Sequence, residues 1–171
     1  MNRAICILLA GLMLTPAVGK TEPRVAVYFS PGTSCTEAIV RELCAARSCI
    51  HLQAYSFTSE WIGRALAEAE KRGVKVVAIL DASNRTRNYS TADFLAHEGI
   101  ETYIDSQHAI AHNKIIIIDN AIVITGSFNF TKAADVKNAE NLLVIADAEI
   151  AAKYEQNWQE HFAHSEYYGG R

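Results

Sequence analysis

IGRALAEAEKRGVKVVAILD, residues 62–81, runs from a helix-forming stretch through one glycine into an almost unbroken apolar run. Gly73 is the expected terminating residue of that helix. The run VKVVAILD that follows (residues 74–81) is what a strand covered on both faces requires. Working outward, the same alternation continues in both directions. RVAVYFS (24–30) reads as a strand. Ser34, with Glu37 three residues on, forms a capping box that opens a helix to about Ala46. CIHLQAYS (49–56) is a second strand, and Ser59 caps the helix that ends at Gly73. Beyond Asp81 the segment ASNRTRNYSTAD is polar and rich in turn formers, at the end of a buried strand where open α/β sheets bind ligands. A short helix over Asp93–His97, a strand at Glu101–Ile104, the strands KIIIID, AIVITG and NLLVIA, and a last helix capped by Asp147 complete the chain. Ile150, Tyr154, Trp158 and Phe162 recur every four residues in that last helix and read as core packing. Alternating strands and helices without repeats or low-complexity stretches give an α/β fold.

The chain has 171 residues, half of them hydrophobic, with 16 basic and 19 acidic side chains and a net charge of −3. That composition describes one globular domain large enough for its own core, and excludes disordered and fibrous classes. With no bulk positive charge, contact with nucleic acid would have to come from a local basic patch.

MNR, the apolar run Ala4–Leu14 and the small residues Ala17 and Gly19 form a signal-peptide pattern. The run is too short to span a bilayer. Cleavage after Gly19 would leave residues 20–171 as a single exported domain, periplasmic or secreted, with no stable membrane insertion. Export would place Cys35, Cys44 and Cys49 in an oxidising compartment; the spacing allows one bridge without choosing it, and three reduced thiols are the alternative. There is no CxxC pair, and no metal ligand set is read from the sequence.

The chemistry concentrates in AHNKIIIIDNAIVITGSFN, residues 111–129. On a strand His112, Lys114, Ile116 and Ile118 share one face, and Asp119 has the other parity. Asp119-Asn120 is a plausible two-residue turn. It would pair Ile118 with Ala121, Lys114 with Thr125 and His112 with Ser127. The hairpin would then gather an imidazole, an ammonium and the Gly126-Ser127-Phe128-Asn129 loop. Lysine and asparagine suit phosphate oxygens, a glycine turn offers backbone amides, and a histidine can attack phosphorus. A carboxylate at Glu140 can orient that histidine.

His112, Lys114, Asp119, Gly126, Ser127 and Asn129 fill every specified position of HxKxxxxDxxxxxxGSxN, the signature of the phospholipase D superfamily. QAYSFT (53–58), GSFNFTKAA and Asn138-Ala139-Glu140-Asn141 also resemble the small, secreted, single-motif bacterial endonucleases of that superfamily, over nearly all of residues 24–164. The resemblance implies a mixed central sheet flanked by helices on both faces. It implies metal-independent, cofactor-free chemistry in which one histidine attacks phosphorus and a second protonates the leaving oxygen. His51, His97, His108, His161 and His164 each lack a following lysine at the matching spacing, so the second histidine would come from a homodimer's other copy. By the resemblance His112 is nucleophile and acid, Lys114 and Asn129 bind phosphate, Ser127 positions it, Glu140 orients His112, and Asp119 and Gly126 are structural. The implied substrate is DNA, with RNA as a second candidate. A phospholipid hydrolase and a catalytically idle nucleic-acid-binding accessory domain are the rival readings.

Arg85, Arg87, Lys132 and Lys137 are candidates for a phosphate-tracking patch, with solvated loop charge as the alternative. Tyr55 and Phe57 are expected to pack rather than stack on bases. Tyr167 and Tyr168, beside Gly169-Gly170, are expected to fray.

Overall fold

The computed structural model describes residues 22, 24–85 and 88–171. Its strands are β1 (Arg24–Ser30), β2 (Cys49–Ala54), β3 (Lys75–Asp81), β4 (Glu101–Asp105), β5 (Lys114–Ile118), β6 (Ile122–Gly126), β7 (Glu140–Ala146) and β8 (Glu166–Tyr167). They form one sheet in the order β1-β7-β6-β5-β2-β3-β4-β8. The pairs β2–β3 and β3–β4 are parallel and all the others antiparallel, so the sheet is mixed.

The helices are α1 (Cys35–Ala45), α2 (Glu60–Lys71), α3 (Thr91–His97), α4 (Lys132–Val136) and α5 (Ala148–His164). Their starts follow local chemistry. The side chains of Ser34, Ser59 and Asp147 accept from the backbone amides of Glu37, Ile62 and Ile150, which satisfies donors that the first helical turn leaves free. Ser90 and Asp93 cap α3 reciprocally, so that helix starts two residues earlier than the sequence suggested. Gly73 takes φ +88° just past α2, a left-handed conformation that favours glycine.

Each face of the sheet carries a core. Ile50, Leu52, Ile116, Ile118, Ile124 and Leu142 pack with Ile39 and Leu43 of α1 and Ile62 and Leu66 of α2. On the other face Val77, Ile79, Ile115, Ile117 and Val123 pack with Ala151 and Trp158 of α5, with Ile150, Tyr154 and Phe162 against them. The four-residue stripe of the last helix is thus a packing stripe. All five residues of β5 are buried because helices cover both its faces.

The hairpin register departs from expectation. Asp119 and Asn120 both adopt φ +53° and Ala121 N–H donates to the Ile118 carbonyl, so the turn itself forms. Ala121, however, is left out of the ladder: its carbonyl accepts from Asp147 N–H, at the cap of α5. Pairing therefore begins with Ile118 opposite Ile122 and reaches Ile115 opposite Thr125. Continuing that register puts Lys114 opposite Gly126, not Thr125, and His112 lies in the connection before the strand.

Of the two open readings of the cysteines the structure shows the reduced one, and one further expectation is corrected. Cys35, Cys44 and Cys49 are free thiols; Cys35 is buried inside the α1 face and Cys44 is exposed, so no bridge joins them. Tyr167 and Tyr168 do not fray. Tyr167 pairs with Tyr103 across β4–β8, Tyr168 N–H donates to the Thr102 carbonyl, and its hydroxyl donates to Asp93 at 2.6 Å. The signal-peptide reading of residues 1–19 falls outside the described residues.

Candidate active site

Topology collects the motif residues other than Asp119 at one edge of the sheet. Since β5 is antiparallel to β2 and to β6, the start of β5 lies beside the ends of β2 and β6. The start of β7 and the end of β1 fall at the same edge, where Ser30 pairs with Glu140. Ala54, Lys114, Gly126, Glu140 and Ser30 therefore line up across five neighbouring strands.

Lys114 is buried, with 7% of its surface exposed. Its Nζ donates to the His112 carbonyl at 2.8 Å and stands 5.2 Å from the centre of the Tyr55 ring. Burial pushes its pKa down, and the negative charge of Glu140 partly restores it. The His112 imidazole is exposed and lies 4.7 Å from the Tyr55 ring, with no hydrogen bond to it among the described residues. A shielded ammonium beside an open imidazole suits an anionic substrate attacked at its central atom.

Gly126 has φ +148°, and a Cβ there would fall inside contact distance of the Asn141 carbonyl oxygen. The close approach has a use: Ser127 N–H and Phe128 N–H both donate to that oxygen, two residues against one, as in a β-bulge. The bulge lets Phe128 and Phe130 enter the core while Ser127 stays exposed and Asn129 half-exposed. The Ser127 and Phe128 amides are thereby engaged within the chain, so the idea that the glycine turn offers them to phosphate is corrected. The Asn129 Oδ1 is buried without a hydrogen-bond partner among the described residues.

Glu140 does not orient His112 within this chain. Its Oε2 accepts from Ser127 Oγ at 2.6 Å and its Oε1 from Asn138 Nδ2 at 3.1 Å. Asn141 adds two donors to Ser127 Oγ. Asn138 and Asn141 belong to a network that strand parity had not resolved, although both sit in the run around Glu140. Tyr55, expected to pack, is half-buried and faces the site; Phe57 is a core residue set edge-on to Phe130.

Asp119 lies at the opposite edge of the sheet. Its carboxylate accepts from the backbone amides of Arg47, Ser48 and Cys49 and from Ser48 Oγ, tying the hairpin turn to the start of β2. Of the basic candidates, Arg85 pairs with Glu166 at 2.9 Å and rests over the Tyr168 ring. Lys132 and Lys137 are exposed at either end of α4. Arg87 lies outside the described residues.

Residues 39–162 match the family model described as "Cardiolipin synthase, PLD-like domain". The chain belongs to the phospholipase D superfamily. It is 47% identical to a protein of Rickettsia bellii named "Phospholipase D", over 79% of this chain and 67% of that one. It is similar in structure to Nuc of Salmonella typhimurium, described as a phospholipase D family member, with a TM-score of 0.81 and 39% identity over 86% of this chain and 99% of that one. NucT of Helicobacter pylori superposes with a TM-score of 0.80 at 26% identity, covering 86% and 100% of the two chains. Membership in this superfamily makes the chain a phospholipase D-like hydrolase.

Proposed function

We propose that this protein is an exported endonuclease that hydrolyses DNA phosphodiester bonds with little sequence preference, at a site completed by a second copy of the chain. The observation that carries the reading is the convergence of His112, Lys114, Ser127, Asn129 and Glu140 at one sheet edge of a superfamily member. In each half-site Lys114 and Asn129 hold phosphate oxygens, and the His112 of one copy attacks phosphorus to form a phosphohistidine. The other copy's His112 protonates the leaving oxygen, and water then releases the product. Asn138 and Asn141, with Glu140, fix the Ser127 hydroxyl. No step calls on a metal or an organic cofactor.

Two features favour this reading. β1 is an edge strand, and Val25, Val27 and Phe29 expose an apolar stripe ending beside Ser30 and Glu140. An exposed apolar stripe next to a site that needs a second histidine suits a two-fold interface. The hollow beside the end of β2 is lined by Ser56, Thr58, Ser83, Asn84, Ser90 and Thr91 together with the rings of Phe57 and Tyr89. The hydroxyls and amide along this wall can solvate a sugar-phosphate chain.

The relatives named for phospholipase D activity make a phospholipid the second reading. Supercoiled plasmid and cardiolipin vesicles, each incubated with wild-type protein and with His112→Ala, separate the two. The proposal predicts nicking and linearisation by wild type alone. Lipid turnover without plasmid cleavage would replace DNA by phospholipid as substrate, and cleavage by both proteins would remove His112 from the mechanism.

A further inference from the structure

Asp105 ends β4, and His161 and His164 occupy the last turn of α5, three residues apart and so on one side of the helix. His108 follows Asp105 in the connection that leads to His112. None of the three histidines has a part in the motif chemistry. Yet the structure turns them all toward one atom: His108 Nδ1 lies 3.0 Å, His161 Nδ1 2.8 Å and His164 Nε2 3.2 Å from Asp105 Oδ2. The four donor atoms lie within 4.8 Å of one another. The rings are tilted against each other by 42°, 51° and 65°, as rings radiating from a common point would be.

Hydrogen bonding alone accounts poorly for this arrangement. A carboxylate oxygen offers about two lone-pair sites; His108 and His161 take those of Oδ2, and Gln107 N–H, with His108 Nδ1 again at 3.3 Å, lies on Oδ1, which leaves no place for His164. The Nε2 of His164 is shielded from solvent and, despite its closeness to Asp105, makes no hydrogen bond of adequate geometry. It is a buried lone pair or N–H aimed at the cluster without a proper partner. A central cation would resolve both problems, each nitrogen presenting its lone pair.

We propose that Asp105, His108, His161 and His164 bind a divalent transition-metal ion, zinc by the chemistry of the donor set. Three imidazoles and one carboxylate are a tetrahedral zinc complement with no open position. At metal–ligand distances of about 2.0–2.2 Å the donors of such a site stand roughly 3.3 Å apart. Contraction from the observed spread is a matter of side-chain rotation on three separate segments. Asp105 is fully buried, while His108, 48% exposed, leaves a path for the ion from solvent. The ion would staple the last turn of α5 to the β4–β5 connection, four residues ahead of His112. It would hold that segment in place and take no part in phosphoryl transfer.

The test uses the untagged full chain purified from cells, with zinc alone as probe. Metal analysis after gel filtration should give one zinc per chain, and cobalt in its place should give the intense visible bands of four-coordinate geometry. Added zinc should raise the melting temperature. His108→Ala, at an exposed loop position that leaves the fold intact, should weaken zinc binding at least tenfold in competition with a chromophoric chelator. His164→Gln should do the same, and His112→Ala should bind as wild type does. Folded wild-type protein that retains no zinc overturns the site. So does His108→Ala with wild-type affinity, or loss of the metal in His112→Ala alone, which would move the ion to the motif.

Discussion

Replacing Asp119 by alanine tests whether a motif residue can be wholly architectural. Its carboxylate receives four donors, the two shortest from Ser48 N–H and Ser48 Oγ, each at 2.7 Å. A hydrogen bond to a charged group contributes about 1.5–3 kcal/mol, but Arg47 and Ser48 are exposed and their donors would turn to water. About 1 kcal/mol for each of the two shortest, and less for the others, gives roughly 2–3 kcal/mol. Alanine at φ +53° adds about 1 kcal/mol, since it lacks the side-chain oxygen that eases the left-handed conformation. The sum, about 3–4 kcal/mol, corresponds to a melting temperature lower by roughly 6–15 °C. Asp119→Asn keeps the conformational tolerance and one acceptor oxygen and should lose about half as much. Both variants, assayed well below their melting points, should turn over substrate at near wild-type rates. An Asp119→Ala protein with wild-type melting and abolished turnover would refute the reasoning and put Asp119 in the chemistry.

Asp93 supplies a pH prediction: burial raises its pKa, but donors from Tyr168, Ser90 and Arg171 outweigh it and hold the group at about 2, against an ordinary 3.8. A depressed carboxyl stabilises the fold above pH 4, by roughly 2 kcal/mol, and loses that contribution as pH falls from 4 through 2. Tyr168→Phe should therefore lower stability at neutral pH by about 1–2 kcal/mol and flatten the acid limb of a denaturation series; an unchanged acid limb would contradict the assignment. Gly126→Ala, which drives a Cβ into the Asn141 carbonyl, should destabilise by about 2–4 kcal/mol and displace Ser127 and Asn129, so residual turnover should fall even in the folded fraction; urea titration with activity at low urea checks both. Gln53 is fully buried with neither amide atom bonded to a described residue, so Gln53→Met should raise stability by about 1–3 kcal/mol, and a lower melting temperature would show that the amide has a partner that matters.

Strand and helix placement was legible where local chemistry and burial agree. VKVVAILD is apolar because two cores grip it, and the residues before α1, α2 and α5 announce their caps. The site was legible as a set of residue types, since the motif fixes spacing along the chain. Its contacts were not. The hairpin register turned on Ala121, whose carbonyl is claimed by the cap of α5 some 26 residues later, and no turn rule contains that bond. Glu140 was read, from its place before NLLVIA and from the resemblance, as orienting His112, whereas its partners are Ser127, at the bulge after Gly126, and Asn138. The two tyrosines near the terminus carry no strand periodicity; a buried aspartate 75 residues away holds Tyr168. The His108–His161–His164 cluster left a faint trace, DxxH at 105–108 and HxxH at 161–164, but only the sheet brings the two halves together.

The central claim is that His112 becomes covalently bonded to phosphorus. Wild-type protein turning over a phosphodiester labelled at the scissile phosphate should be quenched in alkali, where a phosphohistidine survives, and the denatured chain counted for label. The account predicts label on wild type that is stable to alkali and released by acid, mapping to the peptide that contains His112, and none on His112→Ala. An unlabelled wild-type chain captured in the middle of turnover, or label of the same kind on His112→Ala, would contradict it.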